Sequence, residues 1–598
     1  MMDCPIDQPG AFATLCDKGR AGCRCGAGHA DGLTPSLSYV LRDALRGKAL
    51  FWLGVALCAA SAAAAPASTL SIGAVARGTL GIGAVARYAA LALGAVCVSR
   101  AALAKGAFSP SRGAAAAAEA RAARDGGDAA AKHRILAKAP AYAARLAAAL
   151  RCETVSYERD DAERSADLGE FEKLHALLEA WFPRVHAALE RTVVNRGSLI
   201  FRWQGSTAEA PYAVYAHLDV VPPGSADGWD RPPFRGDVAA DASGEECVWG
   251  RGAIDDKNMV LAHLEAVEDL LEAGVSPRRD VYLLFGHDEE VGGLDGAKRV
   301  AAHLRDVSGV ARFDFLLDEG LFVTEGVVPS HAKPVAMICV AEKGFANVKL
   351  TCRSPPGHAS VPGPDGALGR LARAVTRLER RPMPSRPSVA LAMFATLRGG
   401  FSWPLELVVS NLWLFGPVLA AVLASKPETA SLVRTTTAVT IFRSGQKKNV
   451  LPDEAVAYVN HRLHPDDSLD DVLAHDRRVI ADPYDADHPW GVKVEVEDFT
   501  PPSKVSTADH AAFRHLRAAT LEVFGDVAVA PALFIAASDS KHFWDFTDNI
   551  YRYNPILLRK TDRENELKRF HGYNERIATA ALARQVAFYR SFHLRCAG

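Results

Sequence analysis

The sequence predicts an α/β protein whose chemistry sits at the carboxyl ends of strands. Two observations carry that prediction. Beyond residue 187, strand-like and helix-like stretches alternate, the pattern of an α/β domain. Three of the apolar strand candidates then run directly into carboxylates or imidazoles. Pro211–Ala216 leads into AHLDVVP (216–222), Val281–Phe285 into GHDEEVGG (286–293), and Phe313–Leu317 into Asp318-Glu319-Gly320. Open α/β sheets place their sites at such strand ends.

At 598 residues the chain is too long for one core, so two or more domains with extensions are expected. Its 69 basic and 70 acidic side chains leave a net charge of −1, which argues against a general nucleic-acid binder. Eleven scattered cysteines do not form a compact disulfide framework.

The N-terminal third reads as an address and a tether. Residues 1–48 are a polar, Gly-rich tail ending in Arg42, Arg46 and Lys48. Ala49–Ala76 holds no charged residue and is long enough to cross a bilayer, which takes about 20 residues. The basic residues before it favour a cytoplasmic N-terminus. A second apolar stretch, Leu80–Val98, carries Arg87. Region 49–98 therefore reads as a signal anchor, with a cleaved signal near Ala65 as the other reading. The Ala-rich region 99–132 reads as a linker or helical stalk. The expected result is a membrane-anchored protein with its folded region in a lumen (vacuolar or secretory) or outside the cell, or alternatively a secreted one.

The folded region is expected from His133. Helix-like sequence comes first, through residues 136–150 and Glu170–Ala187. Ser198–Trp203 and Pro211–Ala216 are strand candidates. A Gly-, Pro- and Asp-rich loop crosses to VWGRGAIDDK (248–257). Val260, Leu261, Leu264, Val267, Leu270 and Leu271 then fall on one helical face, which Gly274 ends. The DEE strand, a helix around Ala297–Leu304 and the strand Phe313–Leu317 follow.

Two adjacent carboxylates at the mouth of a buried strand are costly unless a cation or a shared proton stabilises them. A metal hydrolase uses such a pair directly, one carboxylate on the metal and its neighbour as the base. Together the strand ends offer His217, Asp255, Glu290 and Asp318, with Glu289 beside them. Nitrogen and carboxylate ligands of this kind suit zinc, and also cobalt or manganese. Asp219 can fix the tautomer of His217 through its second ring nitrogen. Two later histidines, His542 and His571, compete as a further ligand, and Asn574 is expected to cap a helix starting at Glu575.

AHLDVVP, GRGAIDDK, DEE, LLDEG and PPGHASVP occur in that order. In this the chain resembles the zinc metallopeptidase family of aminoacylase, glutamate carboxypeptidase and succinyl-diaminopimelate desuccinylase. It is most similar to the carboxypeptidase S (Gly-Xaa carboxypeptidase) and N-fatty-acyl-amino-acid synthase/hydrolase branch. The resemblance covers roughly residues 133–595. It implies two zinc ions bridged by Asp255, one completed by His217 and Asp318, the other by Glu290 and a late histidine. The closing motif, a His followed three and four residues later by Asn-Glu, selects His571 over His542. Glu289 would be the general base, and the Asp255–Asp256 peptide would be cis.

The resemblance also implies an α+β lid of the dimerisation type inserted in the catalytic domain. The catalytic domain is then expected in two segments, 133–340 and 498–598, with the lid between them at 341–497. In the lid, His358 would be an oxyanion donor, often reaching across a homodimer. Asn449 and Arg462 would hold the free carboxylate of a small peptide or N-acyl amino acid, a task suited to the Arg fork. The lid carries an apolar insert, 389–433, whose run Leu405–Ala424 approaches membrane-span length but holds Glu406 and Asn411. A helical insert against the lid or cleft is the preferred reading. The expected activity is that of a di-zinc carboxypeptidase, with an aminoacylase or N-fatty-acyl-amino-acid hydrolase/synthase as the alternative. A membrane-tethered scaffold that has lost its chemistry is the rival from another class.

Overall fold

The computed structural model describes residues 82–107, 129–158, 166–485, 487–561 and 564–597. The uncharged run 49–76, the tail before it and most of the Ala-rich linker lie outside these residues. The chain divides into two units at Ala95–Val96, and the second, Val96–Gly598, holds every described strand. Among the described residues no single helix is long and apolar enough to cross a membrane.

Seventeen strands are described. They are β1 (Glu190–Val194), β2 (Ser198–Trp203), β3 (Tyr212–His217), β4 (Asp237–Ala240), β5 (Glu246–Trp249), β6 (Val281–Gly286), β7 (Leu316–Glu325), β8 (Val335–Glu342), β9 (Gly344–Arg353), β10 (Gly357–His358), β11 (Thr436–Ser444), β12 (Val450–Leu451), β13 (Glu454–Leu463), β14 (Val492–Thr500), β15 (Ala528–Phe534), β16 (Ile550–Arg559) and β17 (Arg576–Ala578). The main sheet runs β1-β2-β6-β3-β7-β16-β8-β15. β3 lies parallel to both β6 and β7, and β16 lies parallel to β7.

Helices cover both faces of this sheet, and β6 shows why. Val281, Leu283 and Phe285 point into one core, beneath the helices Lys257–Glu272 and Thr579–Ala597. Tyr282 and Leu284 point into another, beneath Ala297–Asp306. A strand buried on both sides must read as a continuous apolar run, and VYLLF does. Gly274 ends the first helix in a left-handed conformation, φ +74°, which its missing Cβ permits.

Residues 344–500 build a second layer. Its four antiparallel strands run β11-β13-β9-β14. Ala346, Val348, Leu350 and Cys352 of β9 alternate inward onto the helices Ala367–Arg380 and Leu469–Ile480. The chain enters and leaves this layer at one point. A Cβ on Gly344 would meet Pro502 N at 2.4 Å and Thr500 O at 2.5 Å. Glu342 N donates to Ser503 Oγ at 2.8 Å. Lys343, between the layers, donates to the carbonyls of Ser431 and Arg434 at 3.2 and 2.9 Å.

The apolar insert forms the helices Ser388–Leu397, Trp403–Val409, Leu412–Ala424 and Pro427–Ala430. The middle two are bent by 112°, and the polar residues in this run explain the bend. Buried Glu406 accepts from Gly399 N and Ser410 Oγ at 2.7 and 2.6 Å. Buried Asn411 donates to the Cys97 carbonyl at 2.9 Å. The insert touches the lid segment through Ser388, whose Oγ donates to Asp466 Oδ2 at 2.5 Å, but its core lies elsewhere. Its core is shared with Ala528, Ala530, Ala532 and Phe534 of β15, the edge strand of the main sheet.

Candidate metal centre

β3 and β6 end side by side, with His217 paired to Gly286. The turn after β6 needs Gly292 and Gly293, both at positive φ, +99° and +71°. It places Glu289 and Glu290 directly beyond the sheet. Asp255 arrives from the loop after β5, through a cis peptide to Asp256.

Asp255 is the hub. Its Oδ1 lies 3.0 Å from His217 Nε2, and its Oδ2 lies 2.8 Å from His571 Nε2. His571 Nε2 is also 3.2 Å from Glu290 Oε2. Burial works against charge on Asp255, yet the bonds from His217 and His571 hold its carboxyl well below the ordinary range. Hydrogen bonds to Asp255 and Glu290 push the His571 imidazole up to about 10. His542, the competing histidine, is turned elsewhere: its Nε2 meets the Gly292 carbonyl at 2.9 Å, and burial lowers it to about 4.

Asp219 ties the strand ends together. Its main-chain carbonyl lies 3.0 Å from His217 Nδ1, nearer than its carboxylate at 3.4 Å. The carboxylate accepts from Ser156 Oγ at 2.7 Å, Glu289 N at 3.1 Å and Glu290 N at 3.2 Å. One buried residue thus fixes both, the histidine through its main chain and the loop of adjacent carboxylates through its side chain.

β7 departs from the expected pattern. The strand begins at Leu316 rather than Phe313 and runs on through Asp318 and Glu319 to Glu325. Successive strand side chains face opposite ways, so the two carboxylates part company. Glu319 Oε1 lies 4.0 Å from His217 Nε2, and Glu319 groups with His217 and Glu289 at ligand spacing. Asp318 belongs to neither ligand group among the described residues. Its oxygens accept from the backbone nitrogens of Glu319 at 2.8 Å and Ser540 at 3.1 Å. Burial raises Asp318 to about 6.

The donor set fits divalent cations. Asp255, Glu289, Glu290 and Glu319 crowd against two imidazoles, and His217, Asp255 and Glu290 also lie within ligand spacing. Glu290 Oε1 is buried without a partner. Burial raises Glu289, with repulsion from Asp539 and Glu290 adding to it, and burial raises Glu319, with repulsion from Glu289 and Asp255. Such a surplus of buried negative charge is what bound cations neutralise.

Residues 213–595 match the model of Peptidase family M20/M25/M40. The chain belongs to this peptidase family. This M20 chain is 38% identical over 455 residues to the probable carboxypeptidase S-like 2 of Dictyostelium discoideum, covering 76% of this chain and 84% of that one. It is 37% identical to the N-fatty-acyl-amino acid synthase/hydrolase PM20D1 of Xenopus tropicalis, covering 74% and 83%. Its fold is similar to that of an M20 family metallo-carboxypeptidase, Sso-CP2, from Sulfolobus solfataricus, with TM-score 0.52, 17% identity and coverage of 75% and 97%. Human carnosine dipeptidase 1 is similar at TM-score 0.51 and 16% identity, covering 78% and 98%. The chain is a metallopeptidase-class enzyme of the branch that holds carboxypeptidase S-like proteins and N-fatty-acyl-amino acid synthase/hydrolases.

Three expected site residues of this M20 enzyme lie elsewhere. His358, on β10, is exposed and places Nδ1 2.7 Å from Ser360 Oγ. Asn449 is exposed and accepts Ala359 N at its carbonyl, 3.1 Å away, beside the β10–β12 pair. Arg462, on β13, lies over Phe345, 5.8 Å from the ring centroid. No described contact joins these three to the ligand cluster.

Glu575 is the residue that sequence reasoning missed. Residues 576–578 form β17 against β5, not a helix, and the helix starts at Thr579. Asn574 therefore caps no helix; its Oδ1 accepts from Asp230 N at 2.7 Å. Buried Glu575 accepts from Arg251 Nη1 at 2.7 Å, Ile254 N at 2.8 Å and Asp255 N at 3.3 Å. It holds the backbone that presents Asp255, just beyond the loop that presents His571.

Proposed function

We propose that this enzyme hydrolyses the amide bond of small substrates ending in a free carboxylate: Gly-Xaa-type dipeptides or N-acyl amino acids. The observation that carries the reading is the relay His217–Asp255–His571, with Glu290 on it and Glu289 beside it. Asp255 would be shared between two zinc ions. Glu290 and His571 would hold one, and His217 with the β7 carboxylate pair Asp318–Glu319 the other; cobalt or manganese would suit the same donors. Bound there, the ions supply Lewis-acid polarisation of the scissile carbonyl. Glu289, held by Asp219 through its backbone nitrogen, takes a proton from the attacking water and returns it to the leaving nitrogen. A base whose carboxyl is raised by burial is suited to both halves of that transfer. His358 donates to the developing oxyanion, and Asn449 and Arg462 hold the substrate carboxylate once lid and site are closed on it.

The likeness to N-fatty-acyl-amino acid synthase/hydrolases supports long acyl groups as a second reading. A panel of Gly-Xaa dipeptides and N-acyl glycines of rising chain length, assayed before and after chelation, tests both. Chelation-sensitive release of the amino acid is the expected result, and the ratio across chain lengths chooses between them. Metal-replete protein that cleaves neither class would leave the scaffold rival standing. For location, we propose that Ala49–Ala76 tethers the enzyme with residues 133–598 in a lumen or outside the cell. Protease digestion of those residues in sealed, lumen-oriented vesicles without detergent would contradict this.

A further inference from the structure

The helix Leu412–Ala424 is apolar on two sides, and only one of them is used by the fold. Gly416, Leu419, Ala420 and Leu423 are buried, and Leu419 and Leu423 join the insert core over β15. The residues of the same helix that face outward are Trp413, Leu414, Pro417, Val418, Ala421 and Val422. None is polar, and Trp413, Val418 and Val422 are each more than half exposed, at 56, 58 and 56%. Leu414, Val418 and Val422 recur every four residues, so they form one stripe. An outward stripe on a water-facing helix is normally polar.

A second apolar element joins it. Residues 96–107 form the end of the helix Ile82–Ala107, and Cys97 and Ala101 are buried. The Cys97 carbonyl takes the Asn411 amide, and Arg100 Nε donates to the Ser410 carbonyl at 3.2 Å. On this element Val96, Val98 and Leu103 remain exposed, at 49, 49 and 62%. Two elements more than 300 residues apart in sequence are thus hydrogen-bonded together, and both leave large apolar side chains outside.

We propose that the outward face of Leu412–Ala424, with the adjoining segment 96–107, seats in the interface of a phospholipid bilayer. Three observations select lipid over a protein partner. From Leu407 to Ser425 the insert carries no charge, so nothing on it would orient a partner. Trp403 and Trp413 are exposed at 46 and 56%, and tryptophan favours the headgroup level of a membrane. The sequence upstream of segment 96–107 includes the uncharged run Ala49–Ala76, so the segment follows an apolar stretch in the chain. The helices lie on the membrane rather than across it, because the pair is bent by 112° and each is too short to span. This inference does not depend on the hydrolase reading.

The test uses the full chain on phosphatidylcholine/phosphatidylserine vesicles with mid-chain brominated lipid as the quencher. The wild type is compared with W403F/W413F. The chain has 9 tryptophans, and Trp52 in the uncharged run is present in both proteins, so the difference isolates the insert. The expected result is a smaller quenched fraction in the variant. A second variant, L414K/V418K/V422K, should keep the wild-type circular dichroism and lower the quenching of Trp403 and Trp413 about tenfold or more, since each lysine opposes burial in the apolar layer. Equal quenching of wild type and W403F/W413F would overturn the proposal. So would a dimer in vesicle-free solution that the triple-lysine variant abolishes while no quenching is seen, because the face would then belong to a second copy.

Discussion

The metal cluster and the lid residues are built in opposite ways. His217 and Asp255 are nearly inaccessible, and each is fixed by neighbours already in place. His358 and Asn449 are exposed, on a two-residue ladder between β10 and β12. The cluster is preorganised at strand ends; the lid residues meet only local partners until something else arrives. The contrast teaches that a buried charge cluster is held by many partners at once, while exposed polar residues on a short ladder keep only local ones.

The largest effect should come from the hub. Asp255→Ala removes the carboxylate that both histidines touch, and should abolish activity together with bound metal, measured by metal analysis of folded protein. Glu289→Gln should separate chemistry from binding: metal content stays, while kcat falls by about 10²–10⁴ or more, the usual contribution of a positioned base. Near-normal turnover at unchanged metal content would remove Glu289 from that role.

Next in size is the β7 pair. Asp318→Asn and Glu319→Gln, compared by metal stoichiometry, decide which carboxylate completes the position beside His217. The variant that loses one ion per chain names the ligand; the other should lose stability without losing metal. For the lid, Arg462→Met should raise KM by about 10–100-fold at little change in kcat, as expected for a lost charge-assisted bond to a carboxylate. His358→Ala should act mainly on kcat, by about 10²-fold. If either variant instead lost metal, the separation between cluster and lid would fail.

A further effect, on stability rather than activity, concerns Lys343, which burial lowers to about 7. In the unfolded chain a lysine titrates near ~10.4. Between about pH 7 and ~10.4 the unfolded state therefore holds the extra proton, so stability rises with pH across that window, by at most about 1.4 kcal/mol per pH unit. Lys343→Met should flatten this rise, read as Tm against pH.

The sequence showed the architecture where local pattern and tertiary position coincide. VYLLF read as a strand and forms one, and the helix 257–272 carried its apolar stripe and stop signal. It was silent where distant segments decide. The division of Asp318 from Glu319 depends on β7 continuing through them beside β16, with Asp318 opposite Arg552. The role of Glu575 depends on 576–578 pairing with β5, about 330 residues earlier. The insert's composition announced helices, yet its seat on β15 follows from which apolar surface lay uncovered, and no spacing within 389–433 encodes that.

That seat alters the mechanics of the second layer. Its two chain crossings meet at Gly344 and Pro501–Pro502, in backbone contact. A body held at one such point could swing as a door does. Here the same body is held again, because its helices 388–424 are pressed against β15 and Lys343 fastens the carbonyls of Ser431 and Arg434. Two separated fastenings remove most of the rotational freedom that one would leave. The connections at 381–387 and 425–435 are tied as well, Arg386 Nε to Asp467 at 2.9 Å and Ser385 Oγ to the Val433 carbonyl at 3.2 Å, so the second layer and the insert are fastened to each other at several places.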